Sequence, residues 1–452
     1  MLSVVMAFLA IGAIIIIGFV SNLLFNKSKI PDVLILILLG YLIGPGMLGI
    51  IDNDMFVIIE QMAPFLAALA LAMIMFDGGL GLNYDQVLGS LTRTMMHTIV
   101  AFVLSIMIVT AIAFIMMGWD FMTSLLLGAI LGGTSGAVVI PLVNRLRVSP
   151  KTRTLLTIES ALTDVIVIVM AMSIILLMQT HTGDLGPTIQ GLAAAFFVSF
   201  MIGLIFGIFW LRILAKLNGQ PFSYMVTIAV LLIMYALTDI LVGQIGVGAI
   251  AALVFGLVLG NKEEFARILK KFKGEYHFNE EIRQFHCEIS FFVRTFFFVY
   301  LGIVFSVTPV DTTYIVLALG IFLGLVGVRF LAANITSSVL RLTRPNKMAV
   351  FFMMPRGLSA AVLASYPLAL GVVSLEVGAA FLSVTLVVIV LTTIMASIGS
   401  FTIENAAPTP EQQKRMNLIS RSRYAARWLE QRDLNGTNSK DTSDSDIIDL
   451  EE

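Results

Sequence analysis

The sequence predicts an all-α polytopic membrane protein with about thirteen transmembrane helices, and three observations carry that fold class. Of its 452 residues, 58% are hydrophobic and 13% charged, with mean hydropathy +0.97; a soluble domain carries charge on roughly a quarter of its residues. The apolar residues fall in long unbroken windows, and about 20 such residues make a helix that crosses a bilayer. The basic residues fall in alternate connections between those windows, as positively charged loops do when they stay on the cytoplasmic side.

Taken in chain order, the windows lie near residues 2–25, 30–51, 56–76, 93–118, 121–143, 154–179, 188–211, 222–241, 245–261, 286–307, 313–333, 349–371 and 377–400. The opening window lacks a basic start and a small-residue cleavage site and is long enough to span, so it reads as a first helix rather than a signal peptide. Connections after odd-numbered windows hold Lys27 and Lys29, then Arg145, Arg147, Lys151 and Arg153, then Arg212 and Lys216. The same side receives the cluster from Lys262 to Arg283 and then Arg341, Arg344 and Lys347, with Arg93 at a helix start. Connections after even-numbered windows hold no lysine or arginine, only residues such as Asp52, Asp120, Asp184, Asp311 and Glu376. This alternation sets the N-terminus outside and the C-terminus in the cytoplasm.

The chain divides into a transmembrane domain over 1–402 and a cytoplasmic tail over 403–452. The first part of the tail, PEQQKRMNLISRSRYAARWLEQRD, has the pattern of a basic amphipathic helix for the inner leaflet or the protein's own core. Its end, NGTNSKDTSDSDIIDLEE, is polar and acidic, the composition of disorder, and its NGT sequon is silent in the cytoplasm. A formal net charge of −1 with charges mostly in short connections gives no reason to expect a nucleic-acid partner. Cys287 is the single cysteine, which excludes an intrachain disulfide and a thiolate metal cage. No phosphate loop or metal-ligand cluster is present, and no cofactor is expected.

Four charged residues stand out within the apolar windows: Glu159, Asp164, Arg294 and Arg356. Each costs roughly 2.5–3.5 kcal/mol to insert, so such residues mark pairs or pathways. In TIESALTDVIVIV, at about 100 degrees per residue, Glu159, Ser160, Thr163 and Asp164 fit within a sector of roughly 140 degrees. They form one polar face, opposite Ile158, Val165, Ile166, Val169 and Met170. One reading is that both carboxylates pair with arginines and staple helices together, and Glu159 is the better candidate for that role. The other is that Asp164 binds something.

Two apolar windows are interrupted. LLLGAILGGTSGAVVIPL carries Gly132, Gly133 and Gly136 around Thr134 and Ser135; FFMMPRGLSAAVLASYPLALG carries Pro355 and Gly357 around Arg356, with Pro367 further on. A broken helix frees backbone groups that a membrane tolerates only beside a cavity or inside protein. Paired breaks in the two halves of a chain point to a transporter's binding site. Glycines that only permit close helix packing are the alternative.

The stretches IPDVLILILLGYLIGPGMLG, MIMFDGGL, GAILGGTSGAVVIPLVNRL, ESALTDV, GAIAALVFGLVLGN, FFVRTFFFVYLGIVF and MPRGLSAAVLA occur in the order found in monovalent cation:proton antiporters. Over residues 5–400 the chain resembles the NhaP-type sodium/proton exchanger family of the cation:proton antiporter superfamily. The resemblance implies an NhaA-like fold with inverted six-helix repeats, two crossing broken helices and a homodimer with elevator-like movement. It implies a multi-pass protein of the plasma or inner membrane that serves pH homeostasis. It assigns Asp164 as the aspartate where proton and Na+ or K+ compete, with Ser160, Thr134, Ser135, Glu159 and Thr163 around the ion, and Na+ or K+ bound at Asp164, Ser160 and Thr134. It sets Glu159 in an ion-pair network with Arg356 or Arg294. The family's Thr-Asp-Pro corresponds here to Thr134, Ser135 and Gly136, so one aspartate is absent. Position 163 is Thr; in relatives a second aspartate there accompanies electrogenic transport, so one-for-one electroneutral exchange is expected.

Burial favours the protonated carboxyl and a bound alkali cation favours the anion, so the two ligands exclude one another. Oxygen donors suit such a cation. Two other classes are weighed. GTSG around Ser135 matches the GxSG pattern of intramembrane serine proteases, which also need a histidine in the membrane; His97, His181, His277 and His286 all fall near window ends or in connections. A passive cation channel is the other, and the chain lacks a carbonyl-filter sequence of the TVGYG kind. Asp77 and Asp239 lie near helix ends, positions for capping or a funnel, and Arg329, near a helix midpoint, has no partner assignable from sequence.

Overall fold

The structure, a computed structural model, describes residues 2–28, 31–81, 84–180, 185–217, 222–243, 247–261, 265, 280–307 and 311–406. The expected tail helix, its acidic end and the sequon lie outside the described residues. Those residues form fifteen helices and no strand. In order they are α1 (Leu2–Ser28), α2 (Asp32–Ile43), α3 (Asn53–Gly81), α4 (Tyr84–Met117), α5 (Phe121–Gly132), α6 (Gly136–Arg145), α7 (Pro150–Thr180) and α8 (Leu185–Lys216). They continue with α9 (Ser223–Val242), α10 (Gly248–Gly260), α11 (Glu280–Val307), α12 (Thr312–Leu340), α13 (Arg344–Phe352), α14 (Leu358–Ala369) and α15 (Leu375–Ala406).

Helices prevail because hydrocarbon offers no partner to a free amide, and an α-helix satisfies its backbone internally. Among the described residues, eight helical stretches are long and apolar enough to cross a membrane: 96–117, 121–145, 150–179, 193–214, 223–242, 288–306, 312–340 and 375–406. Shorter apolar helices occupy 11–24, 32–43, 248–260 and 358–369, inside the first, second, ninth and twelfth sequence windows, and 68–81, which begins in the third window and runs five residues past its end. Polar residues set the ends. Asp120 accepts from Thr123 N at 3.0 Å to start α5, and Asp311 accepts from Thr313 N at 2.9 Å to start α12. Gly243, with φ +73°, ends α9 in the left-handed conformation that glycine adopts without a Cβ clash.

The helices sort into two packing groups. One joins α1, α2, α3, α8, α9, α10 and α11; the other joins α4 through α7 with α12 and α13. The second group extends to α14 and α15, which meet it through α14 on α5 and α7, the Trp119–Phe381 ring contact and the Arg356–Thr392 hydrogen bond. In the first group, contact is backbone to backbone. A Cβ on Gly40 of α2 would lie 2.0 Å from the Val299 carbonyl oxygen of α11, and one on Gly256 of α10 would lie 2.2 Å from the Phe76 carbonyl oxygen of α3. With no hydrophobic driving force between helices in lipid, this closeness supplies the packing energy.

The second group contains both interruptions. Residues 133–135 separate α5 from α6, and residues 353–357 separate α13 from α14. The two unwound links touch: Ser135 N donates to the Pro355 carbonyl at 2.8 Å, and Arg356 Nη1 donates to the Gly133 carbonyl. Gly357 is required at the contact, since a Cβ there would sit 2.1 Å from Ser135 Oγ. The expected broken helices are therefore present, and each link satisfies part of the other's freed backbone.

Candidate functional site

α7 crosses the region where the two breaks meet, and its polar face supplies the site. Gly136 N, the first amide of α6, donates to Asp164 Oδ2 at 2.9 Å. Ser359 Oγ, in the first turn of α14, donates to Asp164 Oδ1 at 2.6 Å. The half-buried carboxylate thus lies at the N-terminal ends of two half-helices, where their dipoles favour negative charge. Both of its donors are neutral groups. The fully buried Ser160 donates its hydroxyl to the Thr157 carbonyl at 3.1 Å. A Cβ on Gly136 would lie 3.2 Å from Asp164 Oδ2 and 3.8 Å from Ser160 Oγ, so the two α7 side chains border the same glycine.

Thr163 is tied to the first break. Its Oγ1 accepts from Thr134 N at 3.1 Å and has the Thr134 carbonyl at 3.2 Å and the Ser160 carbonyl at 3.3 Å as acceptors for its one proton. The two threonine hydroxyls are 3.3 Å apart. Ser135 differs: its side chain lies against Gly357 and its amide serves Pro355.

Glu159 faces another way. It is 2% exposed, and Arg329 of α12 grips it with both terminal nitrogens, Nη1 to Oε1 and Nη2 to Oε2, the latter at 2.9 Å. Arg329 also donates from Nε to the Val350 carbonyl at 2.6 Å and from Nη2 to the Met353 carbonyl at 2.8 Å, oxygens that the end of α13 leaves without helical donors. His97 of α4 brings Nε2 within 3.3 Å of Glu159 Oε2, while its Nδ1 and Thr336 Oγ1 are 2.5 Å apart.

The expected partners of Glu159 were Arg356 and Arg294, and the structure places both elsewhere. Arg356, 2% exposed, donates its amide to Thr392 Oγ1 at 3.0 Å and its guanidinium to Gly133, bracing the crossing. Arg294 pairs with Asp32 Oδ2 at 3.5 Å, joining α11 to α2. Asp77 faces Ser290 and Arg294 in the same group of helices, and Asp239 accepts from Gly248 N at 2.7 Å at the start of α10. His97 is engaged with Glu159 and Thr336 rather than with Ser135, whose side chain lies against Gly357.

Residues 159 and 164 are five apart, about 140 degrees around a helix. The polar face is therefore split between two neighbours, Glu159 toward α4 and α12 and Asp164 toward α6 and α14. On the Glu159 side, Thr134, Glu159, Thr163, Arg329 and Arg356, together with apolar neighbours such as Phe102 and Leu325, line a small cavity with space for about one water. Sequence reasoning missed Ser359, His97 and Thr392 as site groups and left Arg329 without a partner. An arginine inside an apolar window was a visible signal for Arg329; nothing in the spacing marked a serine two residues past Gly357 as facing α7. Among the described residues no group of three or more His, Cys, Asp or Glu side chains could hold a metal.

The sequence pattern of the transmembrane sodium/hydrogen exchangers matches residues 11–402. This chain belongs to that family. It is 24% identical over 344 residues to Na(+)/H(+) antiporter 1 of Methanocaldococcus jannaschii, covering 72% of this chain and 78% of that protein. It is 25% identical over 258 residues to the K(+)/H(+) antiporter NhaP of Alkalimonas amylolytica, covering 56% of this chain and 43% of the relative. The likeness to sodium/hydrogen exchanger 8 of Arabidopsis thaliana, 24% over 309 residues, covers 65% of this chain and 39% of that longer protein. The chain thus matches about two fifths of the length of the last two relatives. Its fold is that of the sodium proton antiporter MjNhaP1 from M. jannaschii at pH 8, with TM-score 0.72, 21% identity and coverage of 89% and 99% of the two chains. The family consists of multi-pass transporters, not enzymes.

Proposed function

We propose that this exchanger-family chain is a secondary active antiporter that trades one monovalent cation, Na+ or K+, for one proton at Asp164 by alternating access. The observation that carries the reading is the contrast between the two α7 carboxylates. Glu159 is neutralised by Arg329, whereas Asp164 meets the hydroxyl of Ser359 and the amide of Gly136. A carboxylate that keeps its negative charge beside two helix breaks can be neutralised by a proton or by a cation, and by only one at a time. Each occupant leaves the site with the same net charge, and exchange needs no ATP.

Oxygen atoms suited to an alkali cation are offered by Asp164 itself, by the Ser160 hydroxyl that borders the same glycine, Gly136, and by Thr134 and Thr163, joined to each other at the adjoining break. Ser135, with its side chain against Gly357 and its backbone engaged by Pro355 and the first turn of α6, borders the site, and Glu159 acts from its ion pair. Thr163 in place of a second aspartate and the pairing of Glu159 leave one titrating charge, which supports one-for-one exchange. We extend the reading to a homodimer in the cell membrane, N-terminus outside and C-terminus cytoplasmic. In it the group built on α4–α7 and α12–α15 slides against the other as an elevator. An obligatory proton counterflow separates this reading from a cation channel.

The test is reconstitution of the full chain in proteoliposomes with an imposed pH gradient, reading fluorescence dequenching on addition of sodium or potassium chloride. Wild-type protein is expected to dequench and Asp164→Asn to be inert at equal protein content. Wild-type exchange by Asp164→Asn would overturn the site, and cation flux without proton movement would make the protein a channel.

A further inference from the structure

We infer that Ser359 sets the balance between proton and cation on Asp164, an inference that rests on the antiporter reading of that carboxylate. Asp164 has two partners of different kinds. Gly136 N on Oδ2 is a backbone amide, which can only donate. Ser359 Oγ on Oδ1, at 2.6 Å, is a hydroxyl, which can donate or accept. That distance lies in the range of an O–H donor on an ionised carboxylate. The serine is 7% exposed, so bulk water does not readily take its place.

The two partners therefore respond differently to what occupies the carboxylate. With Asp164 ionised, both donate. When a proton arrives on Oδ1, the amide is unchanged, but the serine hydroxyl must rotate and accept that proton's hydrogen bond. With a cation on the carboxylate, Asp164 remains an anion and the serine proton stays on Oδ1. Ser359 thus stabilises the ionised and cation-bound forms over the protonated one. It does so from α14, while Asp164, Ser160 and Thr163 stand on α7 and Thr134 on the first break, so occupancy is communicated to the second broken helix.

Removing a donor from an anion disfavours the anion, so Ser359→Ala holds the proton more tightly. The expected result in proteoliposomes is that the acid-side fall in exchange moves to higher pH by about one unit. Apparent cation KM rises roughly tenfold on the acid side and returns to the wild-type value at alkaline pH, where protons no longer compete. Ser359→Thr is expected to restore the wild-type profile, and Ser359→Cys, with its weaker donor, to fall between. The Cys and Thr variants keep the test open should Ala fold poorly by size-exclusion and thermal unfolding. An unshifted pH profile and unchanged KM in a folded Ser359→Ala or Ser359→Cys protein would overturn the inference. So would an equal loss of maximal rate at every pH, which marks a packing role. Asp164→Asn is measured beside them: exchange by that variant removes the antiporter site itself, whereas an inert Asp164→Asn with an unshifted Ser359→Ala removes only the role of Ser359.

Discussion

Arg329 and Glu159 form a two-armed, buried ion pair between α12 and α7, with Nη2 to Oε2 at 2.9 Å and side-chain exposures of 5% and 2%. Breaking such a pair from one side strands the other charge. Arg329→Met is therefore expected to cost about 3–5 kcal/mol, against a smaller loss for Glu159→Gln. Removing both charges in Glu159→Leu/Arg329→Met should recover part of that loss. Recovery stays incomplete, because the Val350 and Met353 carbonyls lose their donors. Thermal unfolding in detergent followed by intrinsic fluorescence reads this order, and a Glu159→Gln protein less stable than Arg329→Met would contradict it.

Gly357 and Ser135 make a second pair. A Cβ on Gly357 would overlap Ser135 Oγ at 2.1 Å and Cβ at 2.4 Å. Gly357→Ala is expected to cost about 2 kcal/mol and most of the exchange rate by forcing the links apart. Ser135→Gly removes the atoms in the way, so the double variant should regain stability and rate. A double variant as damaged as Gly357→Ala alone would show that the crossing depends on something other than this contact.

Competition at one carboxylate gives a defined pH dependence. Below the titration of Asp164, each unit fall in pH raises the ratio of protonated to free carboxylate tenfold, so apparent KM for the cation should rise by about tenfold per unit while the rate at saturating cation stays level. Initial-rate dequenching against cation concentration at several pH values reads this. A maximal rate that falls with constant KM would place the controlling proton on another group.

One-for-one exchange moves no net charge. A membrane potential of either sign, imposed with a permeant anion gradient so that neither Na+ nor K+ sets it, should leave cation-driven proton movement unchanged. A rate that scales with voltage would require a second moving charge, with Glu159 the first residue to substitute.

In the first packing group, Gly256→Val would drive a side chain into the α3 backbone at Phe76. The expected outcome is loss of folded protein on size-exclusion chromatography, with Gly78→Ala, whose nearest neighbour is Leu253 Cδ1 at 3.9 Å, as the tolerated control.

The sequence by itself determined the helical class, the placement of the windows and the two breaks. Bilayer thickness and the lack of backbone partners in hydrocarbon act on local composition, and glycine and proline act on their own segment. It also singled out Asp164, since a charge in an apolar run is visible without a fold. Only the tertiary structure decided the pairing. Whether Glu159 meets Arg329, Arg356 or Arg294 depends on which helix lies across α7, and several arginines at similar depth cost the same by any sequence measure. The division of α7's polar face between α4 and α12 on one side and α6 and α14 on the other follows from rotation and neighbour choice. So does Ser359 on Asp164, a contact across 195 positions of chain that a hydrogen bond's short range makes real only once the two breaks have crossed.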